Sequence, residues 1–82
     1  MPVVFRENGY RFYFYSNEGD PREPIHIHIT KGGSDAKFWL YPETALAYNF
    51  GFNASALNLL EKIVSERRTD IEEFWHDYFS QS

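Results

Sequence analysis

The spacing of hydrophobic residues changes about two-thirds of the way along this 82-residue chain. Before about residue 50, apolar and polar residues alternate, which is typical of β-strands because successive strand side chains point to opposite faces. Beyond it, apolar residues recur every three or four positions, the spacing of an amphipathic helix. Strands followed by helices predict an α+β fold in a single domain, 1–82, in which an antiparallel β-meander of four to five strands (about 3–49) packs against a carboxy-terminal pair of α-helices (about 54–80).

Two glycine-containing dipeptides predict tight turns between strands. Asn8-Gly9 favours a type I′ hairpin turn, whose two central residues both need positive φ. Gly32-Gly33 likewise predicts a hairpin turn. The predicted strands are 3–6, 10–15, 25–31 and 35–41. Residues 44–49 fit either a short fifth strand or a helical turn.

The last third predicts two helices joined by a tight corner. Asn53 or Ser55 can cap the first helix, and Thr69 to Glu72 matches a capping box for the second. Each helix carries one apolar stripe, from which we expect Trp75 and Tyr78 to lie in the core. The first stripe consists of Ala56, Leu57, Leu60, Ile63 and Val64, and the second of Ile71, Phe74, Trp75, Tyr78 and Phe79.

Composition favours a folded protein of a reducing compartment. Aromatic residues make up 20% of the chain, and each can bury a large area, so a short chain gains a dense core. No cysteine is present, which excludes disulfides and thiolate metal ligands. The first residues lack the features of a signal peptide, and no apolar run approaches the roughly 20 residues of a membrane span. We therefore expect a cytoplasmic protein.

The charge balance disfavours nucleic acid as the general partner. The net charge is −4, with eight Lys and Arg against twelve Asp and Glu, whereas binding to phosphates needs a basic surface. Arg67 and Arg68 form the one adjacent basic pair. Either they interact with the negative end of the first helix dipole, or they provide contacts for a nucleic-acid-binding module, which stays as an alternative.

The segment Pro24 to Thr30 is the strongest candidate for function. It reads Pro-Ile-His-Ile-His-Ile-Thr, so His26, His28 and Thr30 share one strand face and the three isoleucines share the other. The isoleucine face predicts a side packed on the core. The histidine face needs a different explanation.

Three interpretations of the histidine face stay open. In the first, the imidazoles are half-exposed and pack on aromatic neighbours. In the second, they bind a ligand or partner. In the third, they bind Zn or Mn or act in catalysis. A zinc site needs three or four ligands, of which His26 and His28 supply two. Further ligands would come from Asp20, Glu23, Asp35, Glu72, Glu73, His76 or Asp77. His76 lies four residues after Glu72, which predicts an ion pair along the helix.

No catalytic residues are predicted. The serines lack the context of a nucleophile elbow, and no glycine-rich phosphate loop occurs. An enzyme is therefore disfavoured, although a metal-dependent hydrolase or nuclease using His26 and His28 stays as an alternative.

Trp39 and Tyr41 are predicted to lie on the strand face opposite Phe38 and Leu40. Large aromatic side chains there either pack against a helix or form an exposed patch for a partner. With the histidine face they make up a predicted recognition face, which consists of His26, His28, Thr30, Trp39 and Tyr41.

Three segments together resemble one bacterial family. They are Met1-Pro2 with the Asn-Gly hairpin leading into 11–15, the strand 23–29 followed by 36–40, and Phe74-Trp75-His76-Asp77-Tyr78-Phe79. This combination resembles the domain of unknown function 4160 family over essentially the whole chain. The Pro-Pro-His-Ile-His-Val strand of that family is similar to 24–29 here, with Ile25 in place of the second proline.

The resemblance implies a partner rather than a reaction. Members of the family are typically encoded beside another small uncharacterised domain, and the resemblance implies a toxin–antitoxin-like pair as a hypothesis, with no catalytic residues to carry over. The acidic balance argues against a ribosome-dependent RNase toxin. We therefore expect a small bacterial binding or regulatory module that acts through a protein partner, such as one encoded by a neighbouring gene.

Overall fold

The computed structural model describes residues 2–18 and 23–80 and shows one five-stranded antiparallel sheet followed by two helices. The strands lie in the order β1-β2-β3-β4-β5, so each hydrogen-bonds to its neighbours in sequence. This confirms the α+β meander and shows that the segment after residue 44 is a strand. The elements are β1 Val3–Glu7, β2 Tyr10–Tyr13, β3 His26–Lys31, β4 Ser34–Trp39, β5 Ala45–Phe50, α1 Ala54–Glu66 and α2 Arg68–Phe79.

Both predicted hairpin turns have the expected backbone. Asn8 and Gly9 have φ values of 53° and 81°, and Gly32 and Gly33 have values of 56° and 86°. Positive φ at both central residues matches the right-handed twist of the flanking strands. These turns fix the pairing of β1 with β2 and of β3 with β4.

The core lies between one sheet face and the two helices. Ile27 and Ile29 are fully buried there, which confirms the predicted core side of β3. Trp75 of α2 packs edge-on against the ring of Phe14. The fully or almost fully buried residues that complete this core include Phe12, Ala36, Phe38, Leu40, Leu60, Ile63, Val64 and Ile71.

The helix ends confirm one capping prediction and correct another. The Asn53 side chain accepts a hydrogen bond from the Ala56 backbone N–H at 2.8 Å, so Asn53 caps α1. The predicted capping box is wrong, because α2 begins at Arg68. Arg67 ends α1 by donating its N–H to the Ile63 carbonyl and begins α2 by accepting from Ile71. With one residue shared between both helices, no separate cap forms at Thr69.

Three further expectations are corrected at the ends of elements. Strand β2 ends at Tyr13 and β4 ends at Trp39, each two residues earlier than predicted. Tyr78 is exposed rather than part of the core. It lies in the last turns of α2, where Phe79 reaches the core ring of Phe14 instead.

Within the described residues, neither helix is long and apolar enough to cross a membrane.

Candidate functional site

A row of side chains crosses the sheet face opposite the isoleucines. Tyr13 pairs with His28, His28 pairs with Lys37, and Lys37 pairs with Tyr48, so the row runs from β2 to β5. Side chains of directly paired residues project to the same face of a sheet. We call this side the aromatic face, and its rings are those of Tyr13, Tyr15, His28, Trp39, Tyr48 and Phe50.

His28 lies buried at the centre of the aromatic face. The Tyr13 ring stacks on the imidazole at 5.4 Å between centroids, and the Tyr15 ring meets it edge-on at 4.6 Å. The Tyr48 hydroxyl lies 3.2 Å from Nδ1. Only 3% of His28 is exposed, so the predicted aromatic packing is confirmed and the predicted half-exposure is wrong. The rings of Tyr13 in β2, Tyr15 just after β2 and Tyr48 in β5 cover His28.

His26 is fully buried at the start of β3. Its Nδ1 lies 2.9 Å from the Pro24 carbonyl oxygen, and because a carbonyl only accepts, Nδ1 carries the hydrogen and donates. The ring meets Trp39 and the core residue Trp75 edge-on, at 5.5 and 5.1 Å. His26 therefore connects the aromatic face with α2, and its exposure was also overestimated from the sequence.

Tyr13 carries a protonated hydroxyl on this face. The hydroxyl lies 3.4 Å from that of Tyr15 and donates to Asp35 at 3.5 Å. Burial and, after it, the hydrogen bond with Tyr15 raise the pKa of Tyr13 well above its ordinary value. Tyr13 therefore stays neutral across the physiological pH range and acts as a hydrogen-bond donor.

The predicted metal ligands do not come together in the part of the chain that the structure describes. Across 2–18 and 23–80, no three His, Asp or Glu side chains are close enough to hold one metal ion. Glu23 lies 3.9 Å from His26 Nδ1. His76 instead faces Glu72 at 3.8 Å on α2, as its spacing predicted. Asp20 lies outside the described residues.

Thr30 and Trp39 lie on the histidine side of the sheet, as predicted. The Thr30 hydroxyl donates to the Ser34 carbonyl at 2.9 Å and so closes the β3–β4 hairpin. The Lys37 ammonium lies 4.2 Å from the centre of the Trp39 ring and 3.4 Å from Glu23. A half-buried Trp39 thus lies beside an ion pair at the margin of the aromatic face.

Tyr41 does not belong to this face. Its hydroxyl donates to Glu72 at 2.8 Å, and the Arg68 guanidinium lies 4.7 Å from its ring centre. The alternation that placed Tyr41 beside Trp39 ends with β4, after which the chain turns towards α2. The hydrogen bond to Glu72 raises the pKa of Tyr41.

Arg67 and Arg68 are both engaged within the chain. Arg67 pairs with Glu7 at 3.2 Å and with Asp70 at 3.4 Å, and its guanidinium stacks 3.6 Å from the centre of the Phe5 ring. Arg68 donates to the carbonyl of Leu40. These contacts hold the strand and helix layers together.

Phe50 is the exposed aromatic residue that sequence reasoning missed. It is 67% exposed at the end of β5 and packs against Tyr48 at 5.5 Å between ring centroids. Tyr15 is also exposed beside His28. Tyr48 and Phe50 alternate with Asn49 in the sequence. A strand assigned to residues 45–50 from the sequence would have placed both aromatic residues on one face.

Comparison with known proteins identifies a family but no characterised relative. A family model described as "Domain of unknown function (DUF4160)" matches residues 9–76, which include β2 to β5, α1 and most of α2. No curated protein and no solved structure matches the chain.

Proposed function

This chain belongs to the DUF4160 family, whose function is unknown, and we propose that it is a binding and regulatory module that acts through a protein partner. One observation carries the proposal: Phe50, a large apolar side chain, is 67% exposed on the aromatic face, beside Tyr48. The helices pack on the opposite face of the sheet and leave these rings at the surface.

The rings of the aromatic face are held in place before any partner binds. Tyr15 and Tyr48 both contact the buried His28, and Tyr48 in turn supports Phe50. A side chain already fixed by packing loses little conformational entropy when a partner covers it. Tyrosine and phenylalanine are also enriched in protein–protein interfaces. The buried histidine thus has a structural role beneath a binding surface.

The chemistry of the face indicates what the partner presents. An apolar segment would cover Phe50, while backbone or side-chain polar groups would meet the hydroxyls of Tyr15 and Tyr48. The ion pair between Lys37 and Glu23 adds charged groups beside these rings. A segment of alternating apolar and polar residues fits this arrangement.

The family resemblance noted above extends the proposal to the compartment and the partner of the protein. We propose a bacterial cytoplasmic protein whose partner is encoded by a neighbouring gene, in a pair of the toxin–antitoxin type. The absence of cysteine supports a reducing compartment. Among the described residues, no observation favours the alternative of a metal-dependent hydrolase or nuclease.

Copurification with the neighbour-encoded protein tests the proposal, with Phe50→Ser as the variant. We expect a complex at micromolar concentration whose Kd rises about tenfold or more in the variant, as for a central interface aromatic. Leu59→Ser is the matched control, because Leu59 is an exposed apolar residue on α1, away from the aromatic face. Separate elution of the two wild-type proteins, or an equal loss in both variants, would contradict the proposal.

A further inference from the structure

The two edges of the sheet differ in how they are protected. The outer strand β1 contains the charged residues Arg6 and Glu7, which discourage a further strand from pairing. The Arg67 guanidinium also reaches from the helix layer to Glu7 and to the Phe5 ring. The β1 edge is thus charged and partly covered by the chain itself.

The opposite edge, β5, has neither charges nor proline. Its six residues are Ala45, Leu46, Ala47, Tyr48, Asn49 and Phe50. One side of β5 pairs with β4, and no strand within the described ranges 2–18 and 23–80 pairs with the other side. An edge strand presents unpaired N–H and C=O groups, which form a template for another strand.

Apolar side chains flank this edge on both faces of the sheet. Strand β5 has an extra residue at Ala47, so Leu46 pairs with Phe38 on the core side while Tyr48 pairs with Lys37 on the aromatic side. Leu46 is 43% exposed, and Phe50 on the other face is exposed further. A strand added here would therefore bury apolar surface above and below the new ladder.

We propose that β5 pairs antiparallel with β5 of a second copy of this chain, which joins two meanders into a ten-stranded sheet. A symmetric pair places the same strand on both sides of a two-fold axis. Because β5 has no charged residue, such pairing sets no like charges opposite each other. Leu46 and Phe50 of each copy then cover the strand of the other.

This inference goes beyond the proposed function, because it concerns the backbone edge of the sheet and a second copy rather than a different protein, and the two surfaces share Phe50. Leu46 separates the two, since it lies on the core side of β5. A Leu46→Lys variant loses self-association but keeps the neighbour-encoded partner. A wild-type dimer that Leu46→Lys disrupts, with no complex between the wild-type chain and the neighbour-encoded protein, would mark failure of the proposed function alone.

Sedimentation equilibrium of the purified chain tests the dimer. We expect a wild-type dimer with a micromolar Kd and an increase of about tenfold or more in Leu46→Lys. Leu59→Lys is the matched control, since Leu59 is 37% exposed on α1 and a charge there leaves the edge unchanged. Circular dichroism verifies that both variants fold. A wild-type monomer up to about millimolar concentration overturns the proposal, as does an equal effect in both variants.

Disulfide crosslinking provides a second measurement that does not weaken the edge. The chain has no cysteine, so Leu46→Cys and Ala47→Cys each introduce a single thiol near the middle of β5. When the two-fold axis passes at or next to residue 46 or 47, the cysteine there meets its own copy, and we expect that variant to form a covalent dimer on mild oxidation. Leu59→Cys is the control. Crosslinking of the control at the same rate as the mid-strand variants overturns the proposal.

Discussion

The imidazole of His28 and the hydroxyl of Tyr48 lie 3.2 Å apart, although β4 separates their strands. The contact passes over Lys37, which pairs with both residues in the ladder. It therefore connects the family-matched histidine strand to the edge strand that carries Phe50. Tyr48 thus connects the buried His28 at the centre of the aromatic face with the exposed Phe50.

Removing this hydroxyl tests how much the contact stabilises the fold. Tyr48→Phe leaves a buried imidazole nitrogen without its hydrogen bond while the ring stays, so we expect a loss of about 1 kcal/mol in the free energy of unfolding. Urea denaturation measures it. Tyr78→Phe is the control, because Tyr78 is exposed and its hydroxyl makes no hydrogen bond among the described residues. Equal stability of Tyr48→Phe and wild type would contradict the expected contribution.

The raised pKa of Tyr13 predicts a pH dependence on the alkaline side. In the unfolded chain a tyrosine ionises near its ordinary pKa of about 10, whereas the folded state holds the proton to higher pH. The stability that Tyr13 contributes is therefore complete below about pH 10 and declines as the pH rises further. Urea unfolding at neutral and alkaline pH shows a shallower decline in Tyr13→Phe. An unchanged decline in that variant would contradict the assignment to Tyr13.

The cap of α1 allows a comparison between two polar residues that lie two positions apart. Asn53→Ala removes the acceptor of the Ala56 N–H, so we expect a loss of about 1 kcal/mol. Ser55→Ala, inside the first turn, is expected to be neutral or slightly stabilising, since alanine favours helix. Thermal or urea unfolding distinguishes them. A larger loss of unfolding free energy in Ser55→Ala than in Asn53→Ala would indicate that Ser55 is the cap.

Gly51 is predicted to tolerate substitution less well than Gly33. Both have positive φ, 99° and 86°, so alanine at either position costs about 1–2 kcal/mol in backbone strain. A Cβ on Gly51 would also lie 2.6 Å from the Ser34 hydroxyl, whereas a Cβ on Gly33 meets open space. Gly51→Ala should therefore be the more destabilised variant by urea unfolding, with partial recovery when Ser34→Gly is added. Equal losses at both glycines would argue against the contact.

The sequence by itself determined the elements that depend on neighbouring residues. Asn8-Gly9 and Gly32-Gly33 determine their turns because positive φ is a local requirement. Asn53 caps α1 because its partner lies three residues away. The alternation around His28 likewise assigned the isoleucines to the core and the histidines to the other face, since strand geometry fixes the alternation.

Only the tertiary structure decided how deeply that other face is buried and which aromatic residues reach it. Tyr13 and Tyr48 cover His28 because the register of four strands brings them together, and no local pattern encodes that register. Tyr41 leaves the face because β4 ends at Trp39 and α2 offers Glu72 as a partner. Alternation assigns a side chain to a face, but burial depends on what distant segments place over it.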